Sequence, residues 1–121
     1  MKRILLIEDD AFLIDVYTTK LKTEGFDIEV AVDGKEGLRK IKKLKPDLLL
    51  LDIVLPNIDG WGILEEIKKT ESLKDLKVIV LSNLAQKEDV EKGLALGATK
   101  YLIKSYYTPS QIVEEIKQVL K

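Results

Sequence analysis

The chain contains no cysteine and no histidine in its 121 residues. Without cysteine there is no disulfide, no thiolate nucleophile and no cysteine-held zinc. Without histidine the commonest general base and the commonest imidazole metal ligand are gone. Long apolar runs are missing too. Met1-Lys2-Arg3 is followed by only four apolar residues before Glu8, too few for a signal-peptide core, and no run approaches membrane-spanning length. The expected location is the cytoplasm. An excess of one charge is also absent: 20 basic residues stand against 21 acidic ones, a formal net charge of −1. Nothing at the whole-chain level favours nucleic acid or an anionic membrane.

What remains for chemistry is carboxylates, hydroxyls, lysines and backbone groups. Hard oxygen ligands of this kind suit Mg²⁺ or Ca²⁺ rather than a soft metal. With 45% hydrophobic and 34% charged residues, the chain reads as globular rather than disordered. Its length suits one core and is too short for two. No linker, repeat or low-complexity tract divides it, so residues 1–121 are expected to form a single domain.

Short apolar runs alternate with longer stretches of helical periodicity. The runs are Ile4–Ile7, Ile28–Val32, Leu48–Leu51, Val78–Leu81 and Tyr101–Ile103. The helical stretches are Phe12–Glu24, Lys35–Lys43, Ile63–Lys69, Lys87–Leu96 and Gln111–Leu120. Leu13, Tyr17 and Leu21, and later Ile112, Ile116 and Leu120, recur every four residues. The runs at Ile4, Leu48 and Val78 are apolar on both faces, the mark of a parallel sheet covered by helices. The expected fold is α/β: an open five-stranded parallel sheet in a flavodoxin-like (βα)5 sandwich, strand order 2-1-3-4-5. Asp33 with Glu36, and Thr108-Pro109 with Gln111, read as capping boxes. Gly25 and Gly97 fall where helices should stop.

Polar residues gather at the strand ends. Glu8 and Asp9 follow the first strand, Asp52 ends the third, Ser82 the fourth and Lys104 the fifth. In an open parallel sheet these ends share one edge, and ligands bind where strand order reverses. For order 2-1-3-4-5 the reversal brings Glu8 and Asp9 beside Asp52. Three crowded carboxylates repel one another unless a proton or a divalent cation intervenes. Lys104 adds a fixed positive charge and Ser82 a hydroxyl donor. Such a pocket suits stabilisation of a transferring phosphoryl group, with Asp52 as the nucleophile. Taken singly, each residue has a plainer use: an Asp after a strand is usually a turn or cap residue, and an acidic pair opening a helix complements its dipole. The joint pattern is what points to chemistry.

The same residues resemble the receiver domains of bacterial two-component response regulators, the CheY-like family, over essentially the whole chain. Ile4-Leu5-Leu6-Ile7-Glu8-Asp9-Asp10 is similar to the family's first strand and acidic pair. Pro46-Asp47-Leu48 through Asp52-Ile53-Val54-Leu55-Pro56, then Asp59-Gly60, Leu81-Ser82-Asn83 and Gly97 through Lys104 follow at family-like spacing. The resemblance implies that Asp52 is the phosphoacceptor and that the cofactor is Mg²⁺. Asp9, Asp52 and the backbone carbonyl of Val54 would be its ligands, and Glu8 would hold a metal-bound water. Ser82 and Lys104 would contact the phosphoryl group, and Tyr101 would be the switch aromatic that turns inward with Ser82. The resemblance further implies a phosphohistidine donor on a sensor kinase or phosphotransfer protein. Output would run through the surface of the fourth helix, fifth strand and fifth helix, with no direct binding of nucleic acid or membrane. The chain would be a phosphoacceptor regulator in a phosphorelay rather than an enzyme.

Three departures from the family pattern stand out. Lys104 is followed by Ser105, where the family usually has proline, often after a cis peptide; here either a strained cis bond or a different loop path is expected. Tyr106 and Tyr107 then either pack on the last helix or contact a partner. Asn83 stands where the family usually has a very small residue, and Val54 and Leu84, both apolar, stand at positions that influence attack by water. Slow loss of phosphate from Asp52 is expected. Two other readings stay open. One is an interaction module of the same fold, unphosphorylated and using the Tyr101–Tyr107 face. The other is a flavin protein or enzyme on a flavodoxin-like fold, against which the acidic loop Glu8-Asp9-Asp10 speaks. No room is expected after Leu120 for an output domain, whether the receiver stands alone or belongs to a longer regulator.

Overall fold

Four consecutive leucines, Leu48–Leu51, have no solvent exposure at all, because they form the central strand of a parallel sheet covered on both faces. The computed structural model describes all residues, Met1–Lys121. The strands are β1 (Arg3–Ile7), β2 (Asp27–Ala31), β3 (Leu48–Leu51), β4 (Lys77–Ser82) and β5 (Lys100–Ile103). They lie in the order β2-β1-β3-β4-β5, all parallel, as the sequence predicts. The helices are α1 (Ala11–Thr23), α2 (Gly34–Leu44), α3 (Gly60–Lys69), α4 (Lys87–Ala95) and α5 (Pro109–Leu120).

Strand side chains alternate between two cores. Leu5, Ile7, Leu49, Leu51, Val78 and Val80 point to one face, against Ile41 of α2 and Ile63, Leu64 and Ile67 of α3. Ile4, Leu6, Leu48, Leu50, Ile79 and Leu81 point to the other, against Tyr17 and Leu21 of α1 and Ile112, Val113 and Ile116 of α5. The edge strand β2 is only half-buried for most of its length.

Helix ends follow the expected signals with two adjustments. Gly25 and Gly97 adopt φ of 90° and 103° just past α1 and α4, where a side chain would be strained. Thr108 and Gln111 form the reciprocal box that opens α5. Asp33 caps α2 by accepting from Glu36 N, but the Glu36 carboxylate reaches past the cap to Val32 N. The box is therefore one residue wider than its sequence suggests. Helix α3 begins three residues before the expected Ile63, at Gly60, capped by Asp59 accepting from Gly62 N. Its two early glycines hide the helix from a periodicity search.

Candidate functional site

Register alone brings the acidic residues together. Ile7 pairs with Leu51, so the next residues, Glu8 and Asp52, emerge side by side at the carboxyl edge of the sheet. Asp52 N donates to Ile7 O at 3.1 Å. Glu8 is 2% exposed and Asp52 7%, whereas Asp9 is exposed. Oxygens of Glu8, Asp9 and Asp52 lie within 4.8 Å of one another.

Each group is held by its neighbours. Glu8 Oε2 accepts from the backbone N–H of Asp9 and Asp10, at 3.1 and 3.2 Å. Asp10 meanwhile caps α1 through Leu13 N. Asp52 Oδ1 accepts from Ile53 N at 2.7 Å. Ser82 pairs with Ile103 across β4 and β5, and Lys104 comes next. Its long side chain crosses β4 to place Nζ 2.9 Å from Asp52 Oδ2 and 2.6 Å from Glu8 Oε1. Burial, with Asp52 nearby, pushes the Glu8 carboxyl above its ordinary range, against the opposing pull of Lys104. The two carboxylates in turn raise the Lys104 ammonium, although burial works against it.

The hydroxyl side of the site is linked differently. Ser82 is fully buried and its Oγ accepts from Leu84 N at 3.2 Å. Tyr101 Oη donates to Leu84 O at 2.7 Å, so the ring is turned inward toward Ser82. Burial raises its phenol pKa. Lys104 and Asp52 are thus in contact, and Ser82 and Tyr101 meet at Leu84.

At the rim, Val54 is 63% exposed. Asn83 lines a cavity of about 510 Å³ together with Lys104, Ser105 and residues of α1. Leu84 packs its side chain on the core beneath α3 instead. The Lys104–Ser105 peptide is trans, as are all peptides in the chain. Residues Lys104–Tyr106 form a single 3₁₀ turn. The loop therefore takes a different path from a cis turn, and Lys104 still reaches Asp52. The two tyrosines divide: Tyr107 packs on the core shared with α1 and α5, and Tyr106 is 70% exposed.

Sequence reasoning gave no structural role to the glycines that shape the site, although Gly60 stands among the residues that carry the resemblance. A Cβ on Gly60 would lie 2.6 Å from Asp52 O and from Ile53 Cα, and Gly60 N donates to Ile53 O. Gly34 is pressed more closely still against the Ile58 carbonyl and donates to Pro56 O. Together they clamp the segment after Asp52. Apart from that motif, the signal in the sequence was glycine, a poor helix former, at the start of two helices.

What this site belongs to is answered by comparison. The family model of the response regulator receiver domain matches residues 4–117. The DNA-binding dual master transcriptional regulator RpaA of Synechocystis is 37% identical over 106 residues, 88% of this chain and 44% of that protein. The regulatory protein VanRc of Enterococcus gallinarum is 35% identical, over 99% of this chain and 50% of that one. The chain thus spans about half the length of the curated relatives it matches. The crystal structure of a CheY-like receiver domain protein from Methanospirillum hungatei superposes with a TM-score of 0.91 at 33% identity, covering 99% of this chain and 94% of that one. On fold and sequence alike, the chain belongs to the response regulator receiver domain family.

Proposed function

We propose that residues 1–121 form one receiver unit in which Asp52 accepts a phosphoryl group, in the presence of Mg²⁺, from a phosphohistidine on a sensor kinase or phosphotransfer protein in the cytoplasm. The observation that carries this reading is the cluster itself: Asp52 beside Glu8 and Asp9, with Lys104 on its second oxygen. The hard carboxylate oxygens suit Mg²⁺, with Asp9, Asp52 and the Val54 carbonyl as ligands and Glu8 holding a bound water. When bound, the ion offsets the negative charge that carboxylates and phosphoryl oxygens bring together.

In the transfer an Asp52 oxygen forms a bond to phosphorus as the bond from phosphorus to the donor imidazole nitrogen breaks. The electron pair leaves on that nitrogen, which takes up a proton. Lys104 holds Asp52 beforehand and follows the charge onto the phosphoryl oxygens. The Ser82 hydroxyl, released from Leu84 N, donates to the same oxygens. Phosphorylation adds about −1.5 to −2 charge and three acceptors, enough to bias a loop already linked to Tyr101. The signal then leaves through α4, β5 and α5. Two solved relatives at 28% and 25% identity, a DrrB receiver domain and the RstA receiver domain of Klebsiella pneumoniae, are described as BeF3-activated, which supports a phosphate-responsive site in this chain.

Incubation with acetyl phosphate and Mg²⁺, followed by intact mass, tests the proposal. The parent gains one phosphoryl group and Asp52→Ala gains none. Equal gain in both proteins, or none in the parent, removes the assignment.

A further inference from the structure

The ring of Tyr101 lies in a seat that one glycine makes. Gly93 is buried in α4, and a Cβ built on it would stand 2.6 Å from Tyr101 Cδ2 and 3.0 Å from Cε2. The first distance is far inside van der Waals contact. The same Cβ would lie 3.7 Å from Trp61 Cζ3 of α3, an ordinary contact, so the conflict is with the tyrosine alone. Glycine weakens a helix interior relative to alanine. Here α4 gives up that stability and the ring occupies the space.

The far end of the ring is tied to the site. Tyr101 Oη donates to Leu84 O, and Leu84 N donates to Ser82 Oγ. Gly93, Tyr101, Leu84 and Ser82 are one continuous series of contacts from α4 to the end of β4, the strand next to β3. On the outer side Lys92 Nζ stands 4.5 Å from the centre of the Trp61 ring, holding α4 against α3. The ring therefore has a fixed floor and a hydrogen-bonded tip, and only the floor depends on a missing side chain.

We propose that Gly93 is a positioning residue of the switch: its bare Cα makes the inward place of Tyr101 available, and a methyl group there shifts the ring outward and off Leu84. The inference rests on reading Tyr101 as the switch aromatic. Because ligand binding and ring position are linked reciprocally, a change at Gly93 reaches Asp52 without touching it.

Four proteins test it: the parent, Gly93→Ala, Tyr101→Ala and the double variant. A crystal structure of Gly93→Ala without ligand should show the ring displaced and its hydroxyl off Leu84 O; a ring still seated there overturns the proposal. In titrations with Mg²⁺ and beryllofluoride, Gly93→Ala should bind the mimic about tenfold more weakly than the parent. In the Tyr101→Ala background the same change should have no effect, since the methyl group then has room. Equal weakening in both backgrounds, or no weakening in either, overturns the proposal. Should the parent fail to bind the mimic, the phosphoacceptor reading falls, and the position of the ring in the Gly93→Ala crystal still decides the role of Gly93.

Discussion

At the scale of single residues, Lys104 does most to make the cluster tolerable. It is 10% exposed and touches both buried carboxylates. Removing one partner of a buried ionic group leaves the others uncompensated. Lys104→Met should therefore lower metal-free stability by about 3 kcal/mol, and saturating Mg²⁺ should restore part of it, since a cation answers the same charges. Urea unfolding with and without Mg²⁺ measures both quantities, and a loss that Mg²⁺ leaves untouched would count against the metal assignment. Glu8 carries the pH dependence. Its carboxyl is raised in the fold, mainly by burial, so the folded protein holds the proton more firmly than the unfolded chain. That contribution is present below the unfolded value of 4.5 and is lost as pH rises through the raised folded value. Compared with Glu8→Gln, which does not titrate, the metal-free parent should lose relative stability as pH climbs from about 4.5 toward neutrality. Thermal melts across that window check the sign; a difference that stays flat or runs the other way refutes it.

At the scale of elements, the segment between β3 and α3 matters most. It leaves the sheet at Asp52, carries Val54, and is held down by Gly60 and Gly34. A Cβ on Gly60 would strike the backbone of Asp52 and Ile53, which cannot rotate away as a side chain could. Gly60→Ala should cost about 1–3 kcal/mol by overpacking and should also weaken Mg²⁺ binding, because the carbonyl assigned to the ion lies on the displaced segment. Isothermal titration separates the effects: lost stability with parent-like Mg²⁺ affinity would detach the segment from the metal site. Ser82 at the end of β4 and Lys104 just after β5 are the groups proposed to sense the phosphoryl oxygens. Ser105 in place of a proline leaves Lys104 in a 3₁₀ turn, and the lysine spans the remaining distance with its flexible stem.

At the scale of the whole molecule, two cores on opposite faces of one sheet hold every strand end at one edge. Repulsion at that edge is the standing cost of the design, and a cation that bound only the folded form would relieve it. Mg²⁺ at a hundred times its Kd should raise unfolding free energy by about 2.7 kcal/mol. Asp9 is exposed and outside the Lys104 contacts. Asp9→Asn should therefore leave metal-free stability close to the parent and abolish most of the Mg²⁺ gain. Melting temperatures over a Mg²⁺ series decide it, and an undiminished response in Asp9→Asn would remove that residue from the ligand set.

The sequence by itself determined the architecture and the membership of the cluster. Unbroken apolar runs buried on both faces and the caps at Thr108, Gly25 and Gly97 are local signals, set by dihedral preference and by which side chains avoid water. Strand order then carries Glu8, Asp9, Asp52, Ser82 and Lys104 to one edge, since a parallel sheet aligns its carboxyl ends. Tertiary structure alone decided the rest. That Lys104 bridges Glu8 as well as Asp52, that Tyr106 is exposed while Tyr107 is packed, and that Leu84 faces the core all depend on side-chain directions across four strands. The glycines at 34, 60 and 93 are the plainest case. Each is required by an atom of a neighbouring segment lying where its Cβ would be, and a close approach between separate segments leaves no periodicity to read.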